Sequence, residues 1–345
     1  MSWRPRECRL DLILVVVSMR ILVTGGAGYI GSHVVRSLLE SGHEPVVYDN
    51  LSTGHVEAIG QVELVQGDLR DFDTLLATVR RFRFDGAVHL AASSLVADSV
   101  RDPSAYFHNN VVSGLLLFDA LVRGDVPWVV LSSTAAVYGN PETVPIPESH
   151  SVAPTNSYGE SKRMLERMLH WYDQAYGLRS ISLRYFNAAG AHPSGEIGED
   201  HDPETHLIPI VLQVAMGLRP CVHVYGHDYP TPDGTPIRDY VHVCDLARAH
   251  VLAIQKLDAG GTSAVYNLGS QRGYSVLEVI NVAREVTARD ISVRMAPRRP
   301  GDPDVLIAKA DEAETQLGWT PDHDLRDMVS SAWNWHLEHP HGYRS

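Results

Sequence analysis

The eight residues TGGAGYIG, Thr24 to Gly31, follow an apolar run (Arg20 to Thr24) and lead into a helix-like stretch (Tyr29 to Ser41). They therefore form a strand-to-helix turn, and Gly26, Gly28 and Gly31 fit the pattern G-x-G-x-x-G. Glycine permits the tight turn, lets the backbone approach a pyrophosphate, and lets the helix pack close to its sheet, while the helix N-terminus faces the anion. This context points to a dinucleotide site. Asp49 ends the next apolar run, eighteen residues after Gly31, near the spacing at which a carboxylate accepts hydrogen bonds from an adenosine ribose. A 2′-phosphate would be repelled there, and DNLST, Asp49 to Thr53, holds no basic residue, so the cofactor predicted is NAD rather than NADP. Asp68 in GDLRD reads equally as a helix cap or as an adenine contact.

Working outward, the alternation continues through PVVYDN, VELVQGD, a helix near Phe72 to Arg81, GAVHLAA, a helix from about Ser104 to Val122, PWVVLSS, a helix from Tyr158 and RSISLRYFN. Short apolar runs separated by helices predict an α/β protein with a doubly wound, Rossmann-type parallel sheet over residues 19–186. From 187 to 340 the texture changes to loops rich in Pro, Gly and His, which predicts mainly a second, smaller α/β substrate lobe. Residues 1–18 imitate a secretory signal, but Leu12 to Val17 is short and no A-x-A-like site follows. We expect Met19 to begin the fold and the preceding segment to be a disordered or misassigned extension.

The 345 residues are 44% hydrophobic, enough for a substantial core, and carry 29 basic against 42 acidic residues, a net charge of −13. That balance argues against nucleic acid and leaves an anionic small substrate only if arginines are focused in a pocket. No segment is long enough to span a membrane. Three scattered cysteines, Cys8, Cys221 and Cys244, form no disulfide framework and fit a cytoplasmic protein. His201 and His206, five apart in an acidic loop, do not read as a metal constellation.

The chain has only three lysines, and one of them, Lys162, lies four residues after Tyr158 in TNSYGESK. Beside a nicotinamide, a cationic lysine one helical turn from a tyrosine would lower the phenol pKa and make a usable base. Upstream, LSSTAAVYG ends a strand at the edge where doubly wound sheets hold ligands, so Ser132, Ser133 or Thr134 could relay a proton.

TGGAGYIG, LSSTAAVYG, SYGESK and LRYFNAAGAHPSG, with YGHDYPTPDGTPIRDYVHVCDLA and APRRPGD further on, resemble the extended short-chain dehydrogenase/reductase family, and within it the UDP-glucose (UDP-galactose) 4-epimerases, from about Arg20 to about His336. The resemblance implies tightly held NAD. Gly25, Gly28, Tyr29, Ile30 and Gly31 would lie at the pyrophosphate turn, Asp49 and Asn50 near the adenosine ribose, and Asp68 and Leu69 at the adenine. Ala91, Asn109 and Tyr185 would line the cofactor, and Lys162 would also reach the nicotinamide ribose. Tyr158, Lys162 and Thr134 would be catalytic. Substrate contacts would fall to Thr134, Tyr158, Asn187, His206, Leu207, Tyr225, Arg238, Arg299, Asp302 and Leu306, with the two arginines holding a diphosphate. His206 stands where some members have asparagine, Ser94 where some have lysine, and Leu306 where some have tyrosine and others cysteine or serine.

The activity so implied is reversible epimerisation of a UDP-hexose at C4 through a 4-keto sugar. Related epimerases of UDP-N-acetylglucosamine, and nucleotide-sugar dehydratases or decarboxylases, share the Tyr/Lys pair. Dehydratases place acidic residues just after the Ser/Thr of the strand, where this chain has Ala135 and Ala136. Leu165, Leu169, Tyr172 and Tyr176 share one face of the Tyr158 helix, with Met164, Met168 and Trp171 on another. That surplus of apolar surface, with the resemblance, predicts a homodimer.

Overall fold

The computed structural model describes residues 18–299 and 302–343. The expectation for the N-terminal extension falls on residues 1–17, outside the described ones. Met19 is 6% exposed and belongs to the core.

The first strands and helices run β1 (Arg20–Thr24), α1 (Tyr29–Glu40), β2 (Glu44–Asp49), β3 (Glu63–Gln66), α2 (Phe72–Phe82) and β4 (Gly86–His89). Short α3 (Val96–Arg101) and α4 (Pro103–Tyr106) follow, then a π-helical turn (Phe107–Val112) continuing into α5 (Ser113–Arg123). Next come β5 (Trp128–Thr134), α6 (Ser157–Tyr176) and β6 (Arg179–Tyr185). The later elements are β7 (Asn187–Ala189), α7 (Leu207–Ala215), β8 (Val222–Tyr225), β9 (Ile237–His242), α8 (Val243–Asp258), β10 (Ala264–Leu268), β11 (Gly273–Ser275), α9 (Val276–Thr287), β12 (Val293–Ala296), β13 (Val305–Leu306), α10 (Asp311–Leu317) and α11 (Leu325–Glu338).

Seven parallel strands form one sheet in the order β10-β6-β5-β4-β1-β2-β3. Strand order reverses between β1 and β4, which opens a crevice at their carboxyl ends. Strand β5, WVVLSST, is buried along its whole length, as expected of a strand covered on both faces. On one face, Leu75, Leu117, Leu121, Leu165 and Leu169 from α2, α5 and α6 join the sheet's core. On the other, Val34, Val35 and Leu38 of α1 join Leu246, Ile254 and Leu257 of α8. Helix α6 starts where the Asn156 side chain accepts from Gly159 N at 2.8 Å and ends at Gly177, with φ +71°.

The lobes are not divided cleanly at residue 187. β10 pairs with β6 at the edge of the large sheet, and α8 packs against α1, so 243–268 returns to the cofactor side. The reason is apolar: β6, RSISLRY, is buried almost throughout and needs a strand beyond it. Helix α10 also packs there, against β10 and α8, and the other elements build the second lobe, with β11-β9-β13 and β7 in one sheet and β12-β8 in another.

Candidate active site

Gly25 and Gly31 make the loop after β1 possible. A Cβ on Gly31 would stand 2.1 Å from Gly25 O, and one on Gly25, whose φ is +73°, would stand 2.5 Å from Ala91 N. The loop therefore lies directly against the end of β4, in the crevice. Gly28 is different, since its nearest obstacle is Gly25 O at 3.4 Å, which leaves room for a ligand. It also precedes α1 without a side-chain cap, so the first-turn amides of Tyr29, Ile30 and Gly31 are available to an anion. The side chains of Tyr29 and Ile30 turn elsewhere: the Tyr29 hydroxyl donates to Gly190 O at 2.6 Å, and Ile30 packs into the core.

Asp49 is 8% exposed. Its carboxylate accepts from Ala27 N at 3.0 Å and Leu51 N at 2.8 Å, which fixes it while each oxygen keeps a lone pair for a ribose hydroxyl. Asp68 accepts from Arg70 Nε at 2.8 Å, Arg70 Nη2 at 2.6 Å and Asn50 Nδ2 at 3.3 Å. The Arg70 guanidinium holds this carboxyl well below the usual range. Of its two sequence readings the cap falls away, because Asp71 caps α2 by accepting from Thr74 N at 3.2 Å. Leu69 is buried in the adjacent core. A glycine cradle, an uncapped helix N-terminus and a fixed acid one strand away fit NAD.

Thr134, the last residue of β5, and Tyr158, in the first turn of α6, come together, close enough for the threonine side chain to pull the phenol's pKa down. The other two candidate hydroxyls are engaged. Ser132 Oγ pairs with the Tyr185 hydroxyl, and Ser133 Oγ donates to Glu166 Oε1 at 2.6 Å. Thr134 Oγ1 also accepts from Ala136 N at 3.1 Å, which fixes its rotamer. Lys162 is 2% exposed and donates to Ser132 O at 2.8 Å. Burial lowers its pKa to about 8, against the opposing pull of Glu166.

Burial raises the Tyr158 phenol above its ordinary value, and the Thr134 side chain only partly offsets this, with no contribution from Lys162. The Lys162 ammonium is directed into the Ser132 carbonyl.

A π-helical turn places Asn109 and Asn110 beside this centre. Asn109 Nδ2 donates to Ser93 Oγ at 3.0 Å. Asn110 Nδ2 donates to Ser161 Oγ at 2.9 Å, which in turn donates to Tyr158 O at 2.7 Å. The extra residue per turn thus links the loop after β4 to the catalytic helix, a use typical of π turns.

On the substrate side, Asn187 is exposed at the start of β7 and Leu207 opens α7. Arg238 on β9 is held by Asp302 at 2.5 Å, and the Arg299 guanidinium lies over the Tyr225 ring at 4.1 Å. Leu306 is in register with Arg238 and packs against the cluster of Ala135, Val137, Tyr138 and Ile146, which brings β13 to the residues just beyond Thr134. The His206 side chain departs from the expectation. Its Nδ1 lies 2.7 Å from Glu199 and 3.5 Å from Glu204, so the imidazole belongs to an acidic loop and is not free for a substrate.

The model of the NAD dependent epimerase/dehydratase family matches residues 21–269. The chain belongs to that family. It is 52% identical over 327 residues to a UDP-glucose 4-epimerase of Lacticaseibacillus casei, covering 94% of this chain and 99% of that one. A crystal structure described as UDP-glucose 4-epimerase superposes with a TM-score of 0.93 at 48% identity, covering 94% of this chain and 100% of that chain. The UDP-glucose 4-epimerase of Brucella ovis in complex with NAD superposes with a TM-score of 0.90 at 45% identity, covering 92% and 98%.

Beyond the pair that marks the family, sequence reasoning missed Glu166 and Arg184. Their side chains are 9% and 7% exposed and meet at 2.6 Å. Arg184 also donates to the Tyr138 hydroxyl at 2.9 Å, which donates to Asn267 Oδ1 at 2.7 Å. This buried network ties α6, β5, β6 and β10 beneath the catalytic groups, and losing either charge would leave the other uncompensated, at about 3–5 kcal/mol. A signal was present: Tyr158, Lys162 and Glu166 recur at four-residue steps, which puts an acid on the face that turns toward the sheet.

Proposed function

We propose that the chain interconverts UDP-glucose and UDP-galactose by inverting C4. The observation that carries this reading is the placement of Tyr158 against Thr134, one helical turn from Lys162, which is buried on the Ser132 carbonyl. NAD, held by the glycine loop, the first-turn amides of α1 and Asp49, would supply the hydride acceptor and donor for C4. Tyr158 takes the proton from the 4-hydroxyl and gives it back, with Thr134 passing it between sugar and phenol. Lys162, anchored on Ser132 O, steadies β5 and supplies positive charge near the nicotinamide ribose. Arg238 and Arg299 hold the diphosphate, so the uridine end stays anchored while the hexose turns over. Ala135 and Ala136 offer no acid for eliminating water, which disfavours a dehydratase.

The test is sugar-nucleotide NMR on UDP-galactose incubated with the protein. UDP-glucose should form without net NADH, and Tyr158→Phe should slow this about 100- to 10,000-fold while leaving NAD content unchanged. Accumulation of a dehydrated or decarboxylated sugar, or near wild-type turnover in Tyr158→Phe, would overturn the assignment. We assign the protein to the cytoplasm, where unpaired Cys221 and Cys244 stay reduced, and to a homodimer through α5 and α6.

A further inference from the structure

Between β7 and α7 the sequence GEDHDPETH, Gly198 to His206, repeats one spacing twice: Glu199 and Glu204 are five apart, as are His201 and His206. Folding brings all four to one point. Each offers one ligating atom, and the four atoms lie within 4.8 Å of one another. The two carboxylates are among the more deeply buried in the second lobe, with side chains 5% and 4% exposed. Burying two carboxylates side by side costs several kcal/mol per ion unless cations answer them. No backbone N–H or hydroxyl bonds to Glu199 among the described residues.

The separations favour a coordinated ion over a hydrogen-bonded cluster. His201 Nδ1 lies 3.4 Å from Glu199 Oε1 and 3.7 Å from Glu204 Oε2. These exceed an N–H···O bond, which ends near about 3.2 Å. They match the edge of a tetrahedron built on zinc bonds of about 2.1 Å, which is about 3.4 Å. A third edge, His206 Nδ1 to Glu199 Oε1, is 2.7 Å and is a hydrogen bond that an ion would open. His201 Nδ1 is buried and has no hydrogen-bond partner. Glu204 is oriented from outside, since its Oε1 accepts from Thr205 N and His206 N, both at 2.7 Å, leaving Oε2 for a ligand. A cavity of about 170 Å³ lined by Glu199, His201 and Glu204 extends to His341 and Gly342, giving an ion access from solvent.

We propose that Glu199, His201, Glu204 and His206 form a structural site for one divalent transition-metal ion, best suited to zinc. Two imidazoles with two carboxylates favour zinc over calcium or magnesium, which prefer oxygen ligands alone. Four protein ligands close the coordination sphere, so the ion is structural and performs no chemistry. Its place in the fold gives it a task. His206 immediately precedes α7, and the His201 ring meets Tyr29 of α1 edge-on, with centroids 6.2 Å apart. The ion therefore fixes the start of the substrate-side helix against the first turn of the cofactor-side helix. Counting histidines alone hid the site, because half of its ligands are glutamates.

The test uses the full chain with its NAD, stripped with a chelator and dialysed against zinc chloride. Elemental analysis should find one zinc per chain, and zinc should raise the melting temperature. Cobalt chloride in its place should give the intense visible absorption of a tetrahedral site. Glu199→Gln and His201→Gln should each lose zinc uptake and the thermal shift. The cobalt spectrum needs no variant, so a folding defect in either leaves the test intact. Zinc content equal in wild type and variants, or a weak octahedral cobalt spectrum in the wild type, would overturn the proposal. Both readouts are independent of epimerase activity.

Discussion

Lys162 is a cation buried in this site. Its pKa falls from 10.5 to about 8 in the folded protein, because burial disfavours the ammonium. Between those values the unfolded chain binds more protons, so this group's contribution to stability improves as pH rises from about 8 towards 10.5, and its cost below pH 8 is about 3 kcal/mol. Without NAD, Lys162→Met should therefore be more stable than wild type at pH 7, by an amount that shrinks towards pH 10. Urea melts at both values measure it, and a difference independent of pH would show that the lysine is not buried as a cation. Leu306 packs beside Ala135 and Val137, and the family resemblance implies that it walls the sugar's C2 side. A merely tight apolar wall discriminates by about 1–3 kcal/mol, roughly 10- to 200-fold, so weak epimerisation of UDP-N-acetylglucosamine is expected beside efficient use of UDP-glucose. Leu306→Tyr should abolish that side activity and Leu306→Cys should raise it. Identical preferences in all three proteins would remove Leu306 from the pocket.

At the scale of elements, the glycine turn between β1 and α1 separates folding from binding. Gly31→Ala drives a Cβ into Gly25 O at 2.1 Å, backbone against backbone, and should cost about 1–3 kcal/mol or more. Gly28→Ala meets nothing closer than 3.4 Å and should change stability by less than about 1 kcal/mol, yet its methyl intrudes where a pyrophosphate approaches. Thermal melts with NAD titration by calorimetry should show Gly31→Ala losing stability and Gly28→Ala losing chiefly NAD affinity, by roughly tenfold, or about 1.4 kcal/mol. Equal effects on both quantities would mean that the loop does not hold the phosphates. The π turn after α4 is invisible to such reasoning, because the sequence from Ser104 to Val122 reads as one uninterrupted helix and the extra residue is absorbed by Asn110 bonding to Ser93 and Ser161.

For the whole molecule, an apolar surface on α5 and α6 finds no partner among the described residues. Leu165 and Leu169 of α6 are buried, but Met164 and Trp171 are 38% and 63% exposed, and Val112 and Leu115, at the start of neighbouring α5, are 38% and 39% exposed. Helix α5 packs against α6, so these side chains extend over two adjacent helices, the kind of surface a second copy would cover. Trp171→Glu should convert a dimer to a monomer in sedimentation velocity while keeping the fold. A wild-type monomer would refute the homodimer.

The sequence by itself determined what depends on local order: the glycine turn, the strand-helix alternation, Asp49 eighteen residues on, and the Tyr158–Lys162 step. Each is written in neighbouring residues, because turn sterics and helical periodicity act over a few positions. Tertiary structure decided what depends on distant segments meeting. It chose Thr134 over Ser132 and Ser133 by engaging their hydroxyls with Tyr185 and Glu166. It returned β10 to the large sheet to cover β6, and raised the Tyr158 phenol through burial that no spacing reveals. It also turned His206 towards Glu199 and Glu204, because two acids and two histidines at five-residue spacing meet only when the loop before α7 folds back on itself.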